Sequence, residues 1–270
     1  MPKRHGRRKK QQKVSKANLT KKGRHASPAA KASSSQQHKR KSLSAAEFRV
    51  ALESLFAKKK KSSYSCPQKT LIADGTIFEL ADFLSRDECA CVIELAEAAG
   101  YTLAELHESK YTAHRRNGRI RVDSPILAQQ LWKRLADTGA FKKKQDGGRI
   151  ACGLNPNFRL YRYERGDRFG MHVDESVSLD KSHETLFTLL VYLNGVGDTT
   201  GGASPLAGGE TVFYTGTTVR NARPILRFPP RTGSALVHMH GERCLLHEGA
   251  LVKSGIKYLL RTDVVYGPPC

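Results

Sequence analysis

Residues 245–266 read LLHEGALVKSGIKYLLRTDVVY, and this stretch decides the fold. From Ile256 to Tyr266 the run is mostly apolar, rich in aromatic and β-branched residues, and follows the turn pair Ser254-Gly255, which predicts a strand. Within it Lys257, Leu259 and Arg261 alternate and so share one face. A lysine on the inner face of an apolar strand is costly unless an anion pairs with it, and a bound dicarboxylate would supply that anion. Arg261 shares the face and is the strongest rival to Lys257 for it. His247 stands ten residues before Lys257, at the end of another predicted strand, Cys244–His247.

Working outward, further strands are predicted at Thr76–Leu80, Phe158–Tyr163, Leu186–Leu193, Glu210–Phe213 and Ser234–His238, bounded by Gly, Pro and Asp turns. Two helices precede most of them. One covers Ser85–Ala99, with Ser85 and Glu88 as a capping box and Gly100 as its stop. The other covers Pro125–Thr138, with Ser124 at the N-cap and Gly139 past the end. Trp132, Leu131 and Leu135 lie on the apolar side of the second helix and belong to the core. Helices followed by many strands indicate α+β, with helices bracing a rolled antiparallel sheet. Its closed form is a double-stranded β-helix, or jelly roll.

Charge divides the chain. Residues 1–63 hold 20 Lys and Arg against two acids, Glu47 and Glu53, which leaves residues 64–270 with a balance near +3. The basic tail over 1–63 has too little apolar surface through residue 42 to offset its chain entropy, and disorder is expected there. One short helix is predicted at 44–58, capped by Ser44 and Glu47, with Phe48, Leu52, Leu55 and Phe56 on the face that packs against the body. The clusters Lys3–Lys10 and His38–Lys41 resemble import addresses, so a nuclear, nucleolar or cytoplasmic location is expected. The same charge would give nonspecific contact with nucleic acid or the ribosome. The first ten residues hold no apolar stretch, so secretion is not expected, and the six cysteines read as reduced thiols. No run reaches membrane-spanning length.

His172 and Asp174 stand two apart in YRYERGDRFGMHVDES (161–176), on one side of an extended segment, and His247 follows 73 residues after Asp174. Two imidazoles and a carboxylate are the donor set that holds non-haem Fe(II) with coordination positions open. His183, His238, His240 and Cys244 receive no ligand role.

With LLVYLN (189–194), GGETVFY (208–214), RTGSALVHMH (231–240) and the stretch quoted at the outset, the pattern over residues 70–266 resembles the prolyl 4-hydroxylase branch of the 2-oxoglutarate- and Fe(II)-dependent dioxygenases. The resemblance implies that His172, Asp174 and His247 bind iron and that Lys257 pairs with the distal carboxylate of 2-oxoglutarate. It implies further that Tyr163 hydrogen-bonds this cosubstrate and that Tyr192 lines its pocket. Iron, 2-oxoglutarate and O₂, with ascorbate as reductant, would then hydroxylate a protein or peptide substrate, releasing succinate and CO₂. The Gly-rich stretch Gly195–Gly209 and Met171 depart from the family pattern. The loop and the segment Tyr111–Val122 are candidates for closing over substrate, with Asn117 and Arg119 as contacts.

Two other functions fit the sequence. A nucleic-acid oxidative demethylase would use the same chemistry, although such enzymes resemble a pattern with arginines after the last ligand, and the body lacks a basic excess. A non-catalytic adaptor binding RNA or the ribosome through the tail has no use for open-site ligands.

Overall fold

The computed structural model describes residues 42–57, 67–73, 75–109, 112–142, 148–216 and 218–269. The expectations for the basic tail up to residue 41, including both import-like clusters, lie outside the described residues, as does Lys58–Lys61. The described chain is mostly antiparallel sheet with three helices, an arrangement consistent with a jelly roll. No described helix is long and apolar enough to cross a membrane.

The helices are α1 (Ala45–Ala57), α2 (Arg86–Ala99) and α3 (Pro125–Asp137). Their ends follow the sequence signals. Glu47 accepts from the Ser44 backbone at 2.8 Å, Ser85 and Glu88 cap each other, and Ser124 accepts from Leu127 N. Phe48 and Leu52 of α1 are fully buried against α2 and α3, so this helix serves the body as packing.

The strands are β1 (Lys69–Ala73), β2 (Ile77–Leu80), β3 (Thr102–Leu106), β4 (Arg115–Asp123), β5 (Ile150–Leu154), β6 (Asn157–Tyr163), β7 (Phe169–His172) and β8 (Glu184–Tyr192). They continue with β9 (Ala207–Gly208), β10 (Thr211–Thr215), β11 (Arg223–Phe228), β12 (Ala235–Met239), β13 (His247–Gly249), β14 (Val252–Ser254) and β15 (Lys257–Gly267). Hydrogen-bonded neighbours run β1-β2-β12-β8-β15-β6-β4-β7-β13-β10-β11, with β3 beside β4 and β5 beside β15.

Two apolar layers result. Phe158, Leu160, Tyr258, Leu260 and Val264 pack with the helices. On the opposite face Tyr161, Tyr163, Tyr192 and Leu259 meet Phe213, Phe228 and Val252 from β10, β11 and β14.

Two expectations are corrected. The Arg115–Val122 part of the segment ending at Val122 is no lid: it lies in β4, hydrogen-bonded to β3 and β6, and arginines at alternate positions had hidden its strand pattern. Cys244–His247 is not a strand either. A 3₁₀ turn at Gly241–Arg243 occupies the approach, Cys244 N donates to Gly241 O at 2.9 Å, and β13 begins at His247.

Candidate metal centre

Strand register builds the site. His247 of β13 pairs directly with His172 of β7, which sets their rings side by side at 4.3 Å between centroids. Asp174, two residues on, points to the same side. It is pinned there by its backbone, whose N–H donates to Cys244 Sγ at 3.2 Å and whose carbonyl accepts from Gly241 N at 3.0 Å.

His172 Nε2 lies 3.7 Å from Asp174 Oδ1, and His247 Nε2 lies 3.8 Å from Oδ2. Each ring holds its Nδ1 at 2.9 Å from a backbone carbonyl, Gly170 for His172 and Leu245 for His247. That bond places the proton on Nδ1 and leaves both Nε2 lone pairs facing the carboxylate. Metal–nitrogen bonds of about 2.1 Å put donor atoms about 3 to 4 Å apart, so the set fits a metal ion as it stands.

Protonation fits as well. Burial, followed by the neighbouring His247, pushes His172 down to about 3, and burial lowers His247 too. Burial would raise Asp174, but Arg261 and the surrounding imidazoles hold it well below the usual carboxylate range. Neutral imidazoles and an ionised carboxylate are the forms a metal takes.

A second donor group, His238, Cys244 and His247, shares one residue with the first. Burial pushes the Cys244 thiol up to about 12, so this group must lose a proton to bind and the first need not.

Beneath Asp174 lies a polar network that sequence reasoning missed. Thr188 donates to Asp174 Oδ2 at 2.7 Å and sits 2.6 Å from His240 Nε2. Arg261 reaches Asp174 at 3.0 Å and Asp263 at 3.4 Å. His238 Nε2 stands 3.7 Å from Asp174 Oδ2. The available signal was Thr188, set between Phe187 and Leu189 in the apolar run of β8, and an acid two residues after Arg261.

Lys257 opens β15 opposite Tyr163 of β6. It is 2% exposed, and its Nζ lies 5.6 Å from the Tyr163 ring centroid and 5.5 Å from that of Tyr192. Its hydrogen bond goes to Gly209 O at 2.5 Å. Gly209 has φ +73°, and a Cβ there would come within 3.0 Å of Lys257 Cδ. Burial pushes Lys257 down to about 7, against a weaker pull from Glu210. Tyr192 is bonded to Thr211 at 2.6 Å.

One cavity of about 50 Å³ touches His172, Asp174, His247, Tyr163, Lys257 and Arg261. Of the two cations, Arg261 is engaged with two carboxylates, whereas Lys257 has no carboxylate within 4.0 Å among the described residues. A larger cleft of about 680 Å³ lies between α2 and the Gly-rich loop, touching Arg86, Glu94 and Asp198 but none of the metal-donor histidines. The Gly-rich loop therefore borders that cleft and lines no part of the smaller cavity.

No family model matches the chain, and no curated protein matches it. Solved structures of 2OG-Fe(II) oxygenases do match. The viral collagen prolyl hydroxylase vCPH from Paramecium Bursaria Chlorella virus-1, in its 2OG complex, is 19% identical, covering 71% of this chain and 96% of its own at a TM-score of 0.47. A 2OG-Fe(II) oxygenase family oxidoreductase from Burkholderia pseudomallei is 16% identical, covering 72% and 86% at 0.47. A Trichoplax adhaerens prolyl hydroxylase, in complex with a hypoxia inducible factor oxygen degradation domain peptide, is 13% identical, covering 71% and 84% at 0.49. At that level of likeness the site residues carry the functional reading on their own.

Proposed function

We propose that the chain is an Fe(II)- and 2-oxoglutarate-dependent dioxygenase that hydroxylates a prolyl residue of a protein, with release of succinate and CO₂. The observation that carries this reading is one cavity joining a ready metal-donor set to a buried, uncompensated lysine. The catalytic domain is residues 70–266, a double-stranded β-helix braced by its N-terminal helices. The prolyl acceptor follows from the motif resemblance.

Bound iron would supply the redox chemistry with O₂ that breaks a C–H bond, and ascorbate would keep it reduced. The chain's own residues do the rest. His172, Asp174 and His247 hold the metal, and Thr188 and Arg261 keep the Asp174 carboxylate ionised and aimed. Lys257 takes the distal carboxylate of 2-oxoglutarate as a fixed cation and neither gives nor receives a proton during the reaction. Tyr163 and Tyr192 wall its ammonium off from water. Arg261 positions the metal ligand and leaves the cosubstrate anchor to Lys257.

Purified protein with Fe(II), ascorbate and 2-oxoglutarate is expected to form succinate, and His172→Ala to abolish it. Wild-type turnover equal to that of His172→Ala would refute the reading. A Lys257→Ala protein with unchanged 2-oxoglutarate affinity would move the anchor to Arg261.

A further inference from the structure

Arg115, Asn117, Arg119 and Arg121 alternate along β4 and share one face. Register identifies that face. Arg119 stands opposite Tyr161 and Arg121 opposite Arg159 on β6, and these stand opposite Leu259 and Arg261 on β15. It is the face that lines the metal cavity. Arg115 pairs with Phe169 and lies 5.3 Å over its ring, and that ring stacks on His172 at 3.6 Å. A single ring therefore separates this row from a metal donor.

The row is uncompensated. Neighbouring arginines have acids: Arg116 has Asp167, Arg159 has Asp263, and Arg162 has Glu97. Among the described residues Arg115, Arg119 and Arg121 have none within 4.0 Å, and the buried Nε atoms of Arg115 and Arg119 have no hydrogen-bond partner. Asn117 is wholly buried, and neither of its amide atoms has a hydrogen-bond partner. A buried polar group left without a partner is unfavourable until a ligand satisfies it.

The missing ligand is anionic, and peptide suits it better than nucleic acid. Alternate side chains on a strand stand about 7 Å apart, the same interval as alternate side chains of an extended peptide. The aromatic rings on this face are already covered, Phe169 between Arg115 and His172 and Tyr161 buried near Arg119, so neither is an open platform for stacking bases. Leu106, opposite Arg115 on β3 and half-exposed, adds an apolar flank.

We propose that this face binds the substrate polypeptide, and that the substrate is acidic: an extended segment with Asp or Glu at alternate positions beside the residue to be hydroxylated. Only the last clause rests on the dioxygenase reading.

The test is fluorescence anisotropy with full-length protein in Mn(II) at near-physiological salt. The probes are a short proline-centred peptide with Asp at alternate positions, its Ser and Lys counterparts, and oligouridylate. The Asp peptide is expected to bind at least about tenfold tighter than the Ser peptide. Arg121→Glu, at an exposed position, is expected to lose about tenfold, and Arg119→Glu/Arg121→Glu more, with 2-oxoglutarate binding unchanged by calorimetry. Equal affinity for Asp and Ser peptides would overturn the proposal. So would an Arg121→Glu protein that binds the Asp peptide like wild type, because the basic tail, unaltered in the variant, would then carry the binding. Tighter binding of oligouridylate, lost in Arg121→Glu, would overturn it in favour of nucleic acid. If wild type binds no 2-oxoglutarate, the dioxygenase reading fails on its own while the peptide comparison stands.

Discussion

One face of β15 carries Tyr258, Leu260 and Val264 into the layer beneath the helices, while the other carries Lys257, Arg261 and Asp263 against the histidines. Both faces are withdrawn from water. The apolar face offers hydrophobic burial and thereby holds the register. The polar face uses that register to place charges where solvent would never leave them. Arg261 is offset by two carboxylates, whereas Lys257 has only a carbonyl, so the strand confines its unbalanced charge to one position.

Replacing Arg261 with Met should break this contrast most severely. Asp174 and Asp263 would lose their shared cation, at a cost of about 3–5 kcal/mol in denaturant unfolding. Leu260→Ala tests the other face: a cost of about 2–4 kcal/mol from the cavity it leaves, with metal affinity unchanged in the folded protein. A change in metal affinity there would mean that the two faces are not separable.

Thr188→Val removes the hydroxyl between Asp174 and His240, and metal affinity measured by competition should fall about 10–100-fold. Lys257→Met should sharpen the comparison by moving function and stability in opposite directions. It should abolish 2-oxoglutarate binding yet stabilise the protein at neutral pH, since an unpaired buried ammonium is a net cost.

The pH dependence follows with its sign. Burial lowers Lys257 to about 7 in the folded chain, against about 10.4 when unfolded. Between those values the unfolded state holds more protons, so stability should rise with pH across that window, a slope that Lys257→Met removes. Affinity for 2-oxoglutarate should run the other way and fall as pH climbs through about 7.

The strands that frame the site were legible because their alternation is apolar, as in β6, β8, β12 and β15. Helix ends were legible because Ser44, Ser85 and Ser124 cap them locally. β4 escaped because arginines occupy the positions where a strand ordinarily shows apolar residues, and β3 because most of it faces solvent. His172, Asp174, His247 and Lys257 could be picked out by type and spacing. Their partners could not: that Thr188 and Arg261 touch Asp174, with His240 and Asp263 behind them, depends on pairing between β8, β12 and β15, which spacing along one chain does not encode. For the same reason spacing could not show that Arg261, the rival to Lys257 on that face, is engaged by Asp174 and Asp263.

The central claim is that the metal donors and Lys257 form one site, and calorimetric titration of 2-oxoglutarate into full-length protein tests it most directly. With Mn(II) present the account predicts stoichiometric binding that vanishes without metal, in His172→Ala and in Lys257→Met. Binding that persists at full strength without metal or in both variants, or its absence from the wild-type protein, would contradict it.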